Sequence, residues 1–172
     1  MDRIAITGVP GTGKTTVSAL LNKDVMNLSD LYEKSADGRE EDGTWIIDTE
    51  KMATIVANES EDNDMIEGHL SHLLGISKTA IVLRCHPTEL KKRLKKRKYN
   101  DEKIQENLEA ECLGIITNEC LEEEIETWEV DTTDTTPEKT AKEIEEIIQG
   151  SKIYTIHNIC LLYTSPSPRY RG

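Results

Sequence analysis

The sequence predicts an α/β fold, in which a parallel sheet is covered by helices on both faces. Short apolar runs typical of strands alternate along the chain with segments whose apolar residues recur at helical spacing. Residues 79–83 form a continuous apolar run, as expected for a strand that is buried on both sides. The length of 172 residues favours a single domain, which can bury its core without disulfides or a structural metal.

The predicted elements follow one another regularly. Short strand-like apolar runs lie, in chain order, at residues 4–6, 25–28, 64–67, 79–83 and 127–130. Helices are expected around Val17, Leu20 and Leu21, around Met52, Ile55 and Val56, around Leu90 and Leu94, around Ile104, Leu108 and Ile115 or Ile116, and around Ile144, Ile147 and Ile148. Pro87 and Pro137 suit first helical positions, and Gly150 suits the end of the last helix.

Composition excludes several classes of protein. The chain has 21 basic and 33 acidic side chains, and the resulting charge of −12 argues against a generic binder of DNA or RNA phosphates. No run approaches the ~18 apolar residues of a membrane span, and the first residues lack the layout of a secretion signal. Four cysteines without paired spacing suit a reducing compartment. We therefore expect a cytoplasmic protein without membrane or DNA contacts.

The composition changes after the last predicted helix. Residues 151–172 contain no acidic side chain and two closely spaced prolines. They resemble translated adapter sequence at the end of a metagenomic gene model, so we expect a domain over residues 1–150 and a non-native or disordered tail. The alternative is a genuine peptide that docks on the domain.

The turn after the first strand carries the strongest motif in the chain. Gly8, Gly13, Lys14 and Thr15 match every fixed position of G-x-x-x-x-G-K-[ST], between a predicted strand and a predicted helix. Glycines let successive backbone N–H groups face a phosphate, while the lysine supplies charge to the β and γ phosphates and the hydroxyl ligates Mg²⁺. The motif predicts a nucleoside triphosphate site, but it does not identify the reaction.

A kinase for a small acceptor also needs a second carboxylate for magnesium. Glu67 ends a predicted strand and is the best candidate, although a solvated acid at a strand end is the alternative. His69 could orient the attacking group or a water, whereas a polar residue at a helix start is the plainer interpretation for both His69 and His72. The guanine-binding sequence Asn-Lys-x-Asp of GTPases does not occur.

Cations cluster in one segment of this acidic chain. Between Arg84 and Lys103 there are nine lysines or arginines and three acids. Arg93 and Arg97 lie four residues apart and so share a helical face, which suits a lid that closes over a triphosphate. A solvated surface is the alternative for most of the lysines, and a nucleic-acid patch is less favoured because Tyr99 is the only interleaved aromatic residue.

Together these residues resemble the adenylate kinase isoenzyme 6 family, which includes archaeal-type adenylate kinases and a eukaryotic ribosome-assembly ATPase. The resemblance rests on residues 6–16, 27–31, 66–69, 82–84, 93–103 and 130–133. It implies a P-loop nucleoside monophosphate kinase fold with a five-stranded parallel sheet, a monophosphate-binding section at about 27–50 and a short lid at about 96–106. It also implies phosphoryl transfer from MgATP to AMP, giving two ADP.

The resemblance assigns roles to individual residues. The resemblance implies that the ATP phosphates and magnesium are bound by Gly11, Gly13, Lys14, Thr15 and Thr16. It also implies that Arg97 binds ATP from the lid. Glu67 matches the acid that holds the metal together with Thr15, His69 matches the family histidine, and residues 130–133 lie near adenine. Asn27 and Asp30 open the acceptor section. The family often has an arginine soon after its Asp-Leu, where this chain has Tyr-Glu-Lys, and Arg39 is the candidate substitute.

Three functions remain open at this stage. The first is an adenylate kinase with slow ATPase activity, in which Lys14, Glu67, His69 and Arg97 act on the reacting phosphates. The second is a nucleotide-switched ATPase that assists small ribosomal subunit assembly by binding a ribosomal protein. The third is a kinase for another acceptor, such as a different monophosphate or a shikimate-like alcohol. The acidic segment 119–148 is either a solvated surface or a contact for a basic partner.

Overall fold

The computed structural model describes residues 3–59 and 64–151. Seven strands are described: β1 Arg3–Thr7, β2 Val25–Asn27, β3 Ala36–Arg39, β4 Trp45–Ile47, β5 Met65–Glu67, β6 Ser77–Arg84 and β7 Glu126–Asp131. Seven α-helices accompany them: α1 Lys14–Ser18, α2 Tyr32–Ser35, α3 Thr49–Glu59, α4 Pro87–Lys96, α5 Asp101–Leu113, α6 Ile115–Glu122 and α7 Pro137–Ile148. Short 3-10 helices cover Leu28–Leu31 and Ser71–Leu74.

The main sheet has five strands in the order β2-β5-β1-β6-β7, and every neighbouring pair is parallel. The predicted fold class is therefore confirmed. In the pairing register, Ile6 of β1 lies beside Glu67 of β5, and Arg84 of β6 lies beside Asp131 of β7. The carboxyl ends of the strands thus meet at one edge of the sheet, where ligands bind in open α/β folds.

Alternate residues of the strands feed two separate cores. On β6, Ala80 and Val82 face a cluster with α3 and the 3-10 helices, while Ile81 and Leu83 face a cluster with α1 and α7. All four side chains are buried, so helices cover the sheet on both faces. A third cluster, built on Leu90 and Leu94 of α4, lies beneath the loop after β1.

Two of the predicted helices were wrong in extent. The first ends at Ser18, so Val17 and Leu21 are buried but Leu20 is 43% exposed. The helix expected from Ile104 to Ile115 or Ile116 is divided at Gly114, whose φ of 61° ends α5 and begins α6. In contrast, the predicted proline starts are confirmed, because Pro87 begins α4 and Pro137 begins α7.

A small antiparallel hairpin interrupts the polar segment that follows β2. It pairs β3 with β4, and Arg39 lies opposite Trp45. Three of the four β3 residues are exposed, so this ribbon has no apolar alternation from which the sequence could predict it.

Beyond Ser151, the predicted tail lies outside the described residues. Among the residues that the structure does describe, no helix is long and apolar enough to cross a bilayer.

Candidate nucleotide and acceptor site

The loop between β1 and α1 is held close to its neighbours by glycines. Gly8 has a φ of 144°, and a Cβ there would lie 2.6 Å from the Leu83 carbonyl oxygen. Gly11 has a φ of 91°, and its Cβ would lie 3.0 Å from side-chain carbons of Leu90 and Leu94. Both positions combine a left-handed backbone with a contact too close for a side chain, so the loop requires glycine at each.

Lys14 folds back over this loop. Its ammonium group donates to the carbonyl oxygens of Gly8 at 2.8 Å and Val9 at 3.1 Å. Burial lowers the pKa of Lys14 to about 8, while Glu67 opposes that shift and Arg97 adds to it. A buried cation that is held by carbonyl groups can exchange those weak partners for a phosphate oxygen.

Thr15 and Glu67 bring two oxygen ligands to the mouth of the loop. The Thr15 hydroxyl donates to Glu67 Oε1 at 2.9 Å, and Glu67 is only 3% exposed. The two side chains lie close together because the register of β5 beside β1 pairs Glu67 with Ile6, next to the start of the phosphate loop. A hydroxyl and a carboxylate are hard oxygen donors, which fits a magnesium ion that keeps several waters.

A cavity of about 250 Å³ opens between the loop, the start of the acceptor section and the residues after β5. The residues around it are Pro10, Gly11, Gly13, Lys14, Thr15, Asn27, Ser29, Tyr32, Glu67, Gly68, His69, Arg97 and Tyr99. It therefore brings together all four predicted catalytic side chains. We call it the acceptor cavity, because Asn27, where the sequence predicts the acceptor section to begin, lies on its wall.

A second cavity, of about 410 Å³, lies on the other side of the same loop. It is bordered by Gly11, Thr12, Gly13, Thr16, Val17, Arg93, Lys96, Arg97, Thr132, Thr135, Pro137 and Thr140. The turn predicted near adenine contributes Thr132 to this wall. We call this space the donor cavity. Gly11, Gly13 and Arg97 border both cavities, so the two meet at the loop.

Arg93 and Arg97 share a helix but have different surroundings. Arg93 donates to the Thr132 hydroxyl at 3.1 Å and to the Thr132 carbonyl at 2.6 Å. Thr132 in turn donates from its hydroxyl to the Thr12 carbonyl at 2.8 Å. Arg93 therefore fastens α4 to the turn after β7 and borders only the donor cavity, whereas Arg97, the C-cap of α4, borders both cavities.

Tyr32 was not predicted as a site residue, yet it contacts the predicted His69. The Tyr32 hydroxyl lies 3.0 Å from His69 Nδ1, and the two rings meet edge-on. Burial raises the pKa of Tyr32 to about 12, and Glu67 adds to the shift. Burial lowers the pKa of His69 to about 4, with Lys14 contributing. The only sequence signal for Tyr32 was its position shortly after Asp-Leu, in the stretch where the family that this chain resembles often has an arginine.

His72 belongs to the framework rather than to a cavity. It is 1% exposed, and its two ring nitrogens lie 2.9 Å from the Thr7 hydroxyl and 2.9 Å from Glu119 Oε2. His72 does lie at the start of a 3-10 helix, as the plainer interpretation expected, but its side chain is buried. It braces the end of β1 against α6.

Arg84 is also internal, although its sequence neighbours form the basic segment. It donates to Glu111 Oε1 at 2.8 Å and to Glu129, and Thr117 donates to the same Glu129 oxygen at 2.7 Å. The Cys85 amide donates to Glu111 at 2.9 Å. We call this set the Arg84 cluster. It joins the ends of β6 and β7 to α5 and α6.

Two predicted acceptor residues lie apart from the acceptor cavity. Asn27 borders it and accepts from the Ser29 amide at 2.9 Å, but Asp30 is exposed on the adjoining turn. Arg39 lies on the hairpin, with its guanidinium carbon 3.6 Å from the centre of the Trp45 ring. The described structure therefore does not bring Asp30 and Arg39 together with the other candidates.

Three of the cysteines belong to the described residues. Cys85 and Cys120 are buried and Cys112 is half-buried, and none of these three is in a disulfide bond. Within residues 3–59 and 64–151, no group of three or more His, Cys, Asp or Glu side chains could hold a metal ion.

Two solved structures share this fold over most of their length. Shikimate kinase from Acinetobacter baumannii, in complex with shikimate, aligns with a TM-score of 0.60 at 15% identity, covering 90% of this chain and 96% of that one. The YorR protein of Bacillus subtilis, in complex with phosphorylated GDP, aligns with a TM-score of 0.57 at 16% identity, covering 88% and 99%. These likenesses show the fold alone.

Sequence comparison is more specific. A family model described as "AAA domain" matches residues 4–114. A protein of Archaeoglobus fulgidus named "Putative adenylate kinase" is 44% identical over 153 residues, which covers 87% of this chain and 83% of the relative. A protein of the same name from Pyrococcus abyssi is 42% identical, covering 86% and 84%. The chain belongs to the family of archaeal proteins that carry this name.

Proposed function

We propose that this protein transfers a phosphoryl group reversibly from MgATP to AMP, giving two ADP, and that it hydrolyses ATP slowly when the acceptor is absent. The observation that carries the proposal is the meeting of the donor and acceptor cavities at Gly11, Gly13 and Arg97. A phosphoryl group passing between two bound nucleotides needs two spaces that join at the phosphate loop. The names of the archaeal relatives support the same reaction.

The reaction needs positioning and charge neutralisation rather than a strong base. The phosphate oxygen of AMP is already a nucleophile, so no proton has to be removed from it. Lys14 exchanges its carbonyl partners for phosphate oxygens of the donor, and Arg97 faces the point where the two nucleotides meet. Both cations stabilise the charge that builds on the transferring group.

Magnesium is part of the proposal, and Thr15 and Glu67 are the residues that would hold it. Their two oxygens lie 2.9 Å apart beside Lys14 on the wall of the acceptor cavity. When bound, the ion supplies positive charge to the phosphates of the donor nucleotide. Thr16 borders the donor cavity and contributes to binding the same phosphates.

The nucleoside of the acceptor has space next to the acceptor cavity. A third cavity, of about 590 Å³, shares Pro10, His69 and Tyr99 with it and continues between the hairpin and α5. Its far wall is polar, with Asp42, Thr44, Asn100, Lys103, Glu106 and Asn107. We propose that residues 27–50 and 96–106 form the monophosphate-binding section and the lid on its two sides.

A coupled assay of ADP formation tests the reaction. The full chain is given MgATP with AMP, CMP, UMP, GMP or dAMP in turn, and AMP is expected to produce the fastest ADP formation. Steady ATP hydrolysis without any AMP-dependent ADP would overturn the proposal.

A second function, the nucleotide-switched assembly ATPase, is favoured by the small number of cations that border the acceptor cavity, since few cations would hold an acceptor phosphate weakly. Among the described residues that border it, Lys14 and Arg97 are the cations, and Arg39 lies elsewhere on the hairpin. A weakly held acceptor would leave ATP hydrolysis as the main turnover. The test is nucleotide-dependent capture of a small-subunit ribosomal protein by the purified chain. Equal capture with and without ATP would contradict the switch.

The proposed domain covers residues 1–150, with a cytoplasmic location where both nucleotides are available. The last described helix supports this boundary. Gly150 follows α7 with a φ of 68°, and the Ser151 amide donates to the Glu146 carbonyl at 2.9 Å, which closes the helix end.

A further inference from the structure

Tyr32 and His69 form a polar pair on the wall of the acceptor cavity. Tyr32 is the first residue of α2, and His69 follows Glu67 by two positions after β5. Their polar atoms lie 3.0 Å apart, and their rings stand at 90° with centroids 6.1 Å apart. Both side chains border the cavity together with Lys14 and Arg97. The pair is thus next to the phosphate that would occupy this space.

The chemistry of the two groups favours one direction of the hydrogen bond. A phenol O–H is a good donor and an unprotonated imidazole nitrogen is a good acceptor, whereas a phenol oxygen is the weaker acceptor of the two. At neutral pH a phenol is un-ionised and an imidazole is mostly neutral, since their ordinary pKa values are ~10 and ~6.5. Tyr32 therefore donates to Nδ1 of His69. In a neutral imidazole the single proton must then be on Nε2.

We propose, on the basis of the proposed kinase function, that Tyr32 is a positioning residue that holds His69 in the Nε2–H form, so that His69 donates a hydrogen bond to the acceptor phosphate. Within the described part of the chain, Nε2 forms no hydrogen bond with another residue. A proton-bearing Nε2 can bind an anionic oxygen but cannot take a proton from water or from an alcohol. The pair therefore favours a phosphate acceptor over a neutral hydroxyl.

This assignment adds a neutral ring N–H donor to the two cations that border the acceptor cavity. Lys14 and Arg97 are the cations that border it, and Arg39 is stacked on Trp45. A neutral donor attracts a dianion less strongly than an arginine does. It also adds no positive charge beside the metal-binding oxygens of Thr15 and Glu67, where a further cation would weaken metal binding.

Nuclear magnetic resonance of the full chain labelled with nitrogen-15 histidine reads the proton position directly. The chain has four histidines, and His69→Gln identifies the His69 signals by their loss. We expect Nε2 to carry the proton in the native chain and Tyr32→Phe to produce a mixture of both forms. A proton on Nδ1 in the native chain, or an unchanged spectrum in Tyr32→Phe, overturns the proposal.

A matched pair of variants separates a donor from a base. Gln places its amide nitrogen near the position of Nε2, whereas Asn reaches only the position of Nδ1. Since a hydrogen bond to a charged group changes a rate by roughly 10- to 100-fold, His69→Asn should lose about that much AMP-dependent turnover, and His69→Gln should stay within about fivefold of the native chain. Equal losses in both variants would show that a Gln amide N–H cannot replace Nε2–H and would overturn the donor role.

Tyr32→Phe removes the hydroxyl and keeps the ring. We expect kcat/KM for AMP to fall by roughly three- to tenfold, as for the loss of one neutral hydrogen bond, with KM for ATP unchanged. A merely structural tyrosine would change both KM values together, and that result contradicts the proposal.

The nitrogen-15 histidine spectrum is recorded without any substrate. Failure of the kinase assay in the native chain therefore overturns the proposed function, while the spectrum still decides the proton position.

Discussion

The Thr15 hydroxyl donates to Glu67 Oε1 across 2.9 Å, although 52 residues separate the two in the chain. The bond joins the phosphate loop to the neighbouring parallel strand. Each group is the hydrogen-bond partner of the other, and the Thr15 hydroxyl partly replaces the water that the nearly buried Glu67 carboxyl group has lost. The same two oxygens face the acceptor cavity, where a metal bound to ATP would take them as ligands.

Replacing the carboxylate tests this arrangement. Glu67→Gln keeps the size and the hydrogen bond from Thr15 but removes the negative charge that a magnesium ion requires. We expect AMP-dependent turnover to fall by about 10²-fold and the magnesium concentration for half-maximal rate to rise, because a charged ligand is lost. Glu67→Asp is the matched control, with the charge retained and the reach shortened. An unchanged magnesium requirement in Glu67→Gln would show that this carboxylate does not hold the metal.

Lys14 predicts a specific dependence of ATP binding on pH. Its pKa is lowered to about 8, so the free protein loses this charge as the pH rises through that value. Bound phosphate stabilises the charged form and raises the pKa in the complex. The contribution of Lys14 to ATP affinity is therefore fully present below pH 8 and weakens above it. Calorimetry in buffers of different ionisation enthalpy should detect a proton taken up on binding at pH 9.

Two variants control that measurement. Lys14→Arg stays charged throughout, so its ATP affinity should show no weakening between pH 7 and 9, whatever its absolute value. Lys14→Ala should reduce turnover by about 10²-fold or more at any pH, since it removes a charge that acts on the transferring phosphoryl group. A near-normal rate in Lys14→Ala would show that the loop is not a phosphate site.

Features determined by short stretches of chain were predictable from the sequence. The phosphate loop is contiguous, so its residues and their spacing are visible without any tertiary information. Glu67 was predictable by one further step, because the carboxyl ends of neighbouring parallel strands meet. The helix starts at Pro87 and Pro137 follow from proline geometry alone.

Features determined by packing between distant segments were not predictable. Helical spacing does not distinguish Arg93 from Arg97. Only the folded chain brings Thr132, which is 39 residues further along the sequence, to Arg93, where the two form a hydrogen bond. Tyr32 and His69 meet only because a 3-10 helix sets the position of α2 beside the residues after β5. Arg84 is the first cation of the basic segment in the sequence, and only the packing of α5 and β7 against β6 surrounds it with carboxylates.

Arg93 of α4 and Arg97 at its C-cap should differ when each is replaced by alanine. Arg97→Ala should lower AMP-dependent turnover by roughly 10- to 100-fold with little change in melting temperature, because the side chain faces the cavities. Arg93→Ala should lower the melting temperature, because Thr132 loses both of its bonds to the guanidinium group. Turnover and thermal unfolding are measured on the same preparations. A large stability loss in Arg97→Ala, or none in Arg93→Ala, would reverse the assignment.

The Arg84 cluster should make a large contribution to stability. Arg84 side-chain exposure is 7%, and the carboxylates of Glu111 and Glu129 are 4% and 9% exposed. Arg84→Met would leave two nearly buried negative charges without their cation, which costs about 3–5 kcal/mol in comparable sites. Lys34→Met is the control, because the Lys34–Glu59 pair is exposed and such pairs contribute about 0–1 kcal/mol. Urea unfolding followed by circular dichroism gives both values. Similar midpoints for the two variants would mean that the carboxylates are satisfied without Arg84, through the Cys85 amide and the Thr117 hydroxyl.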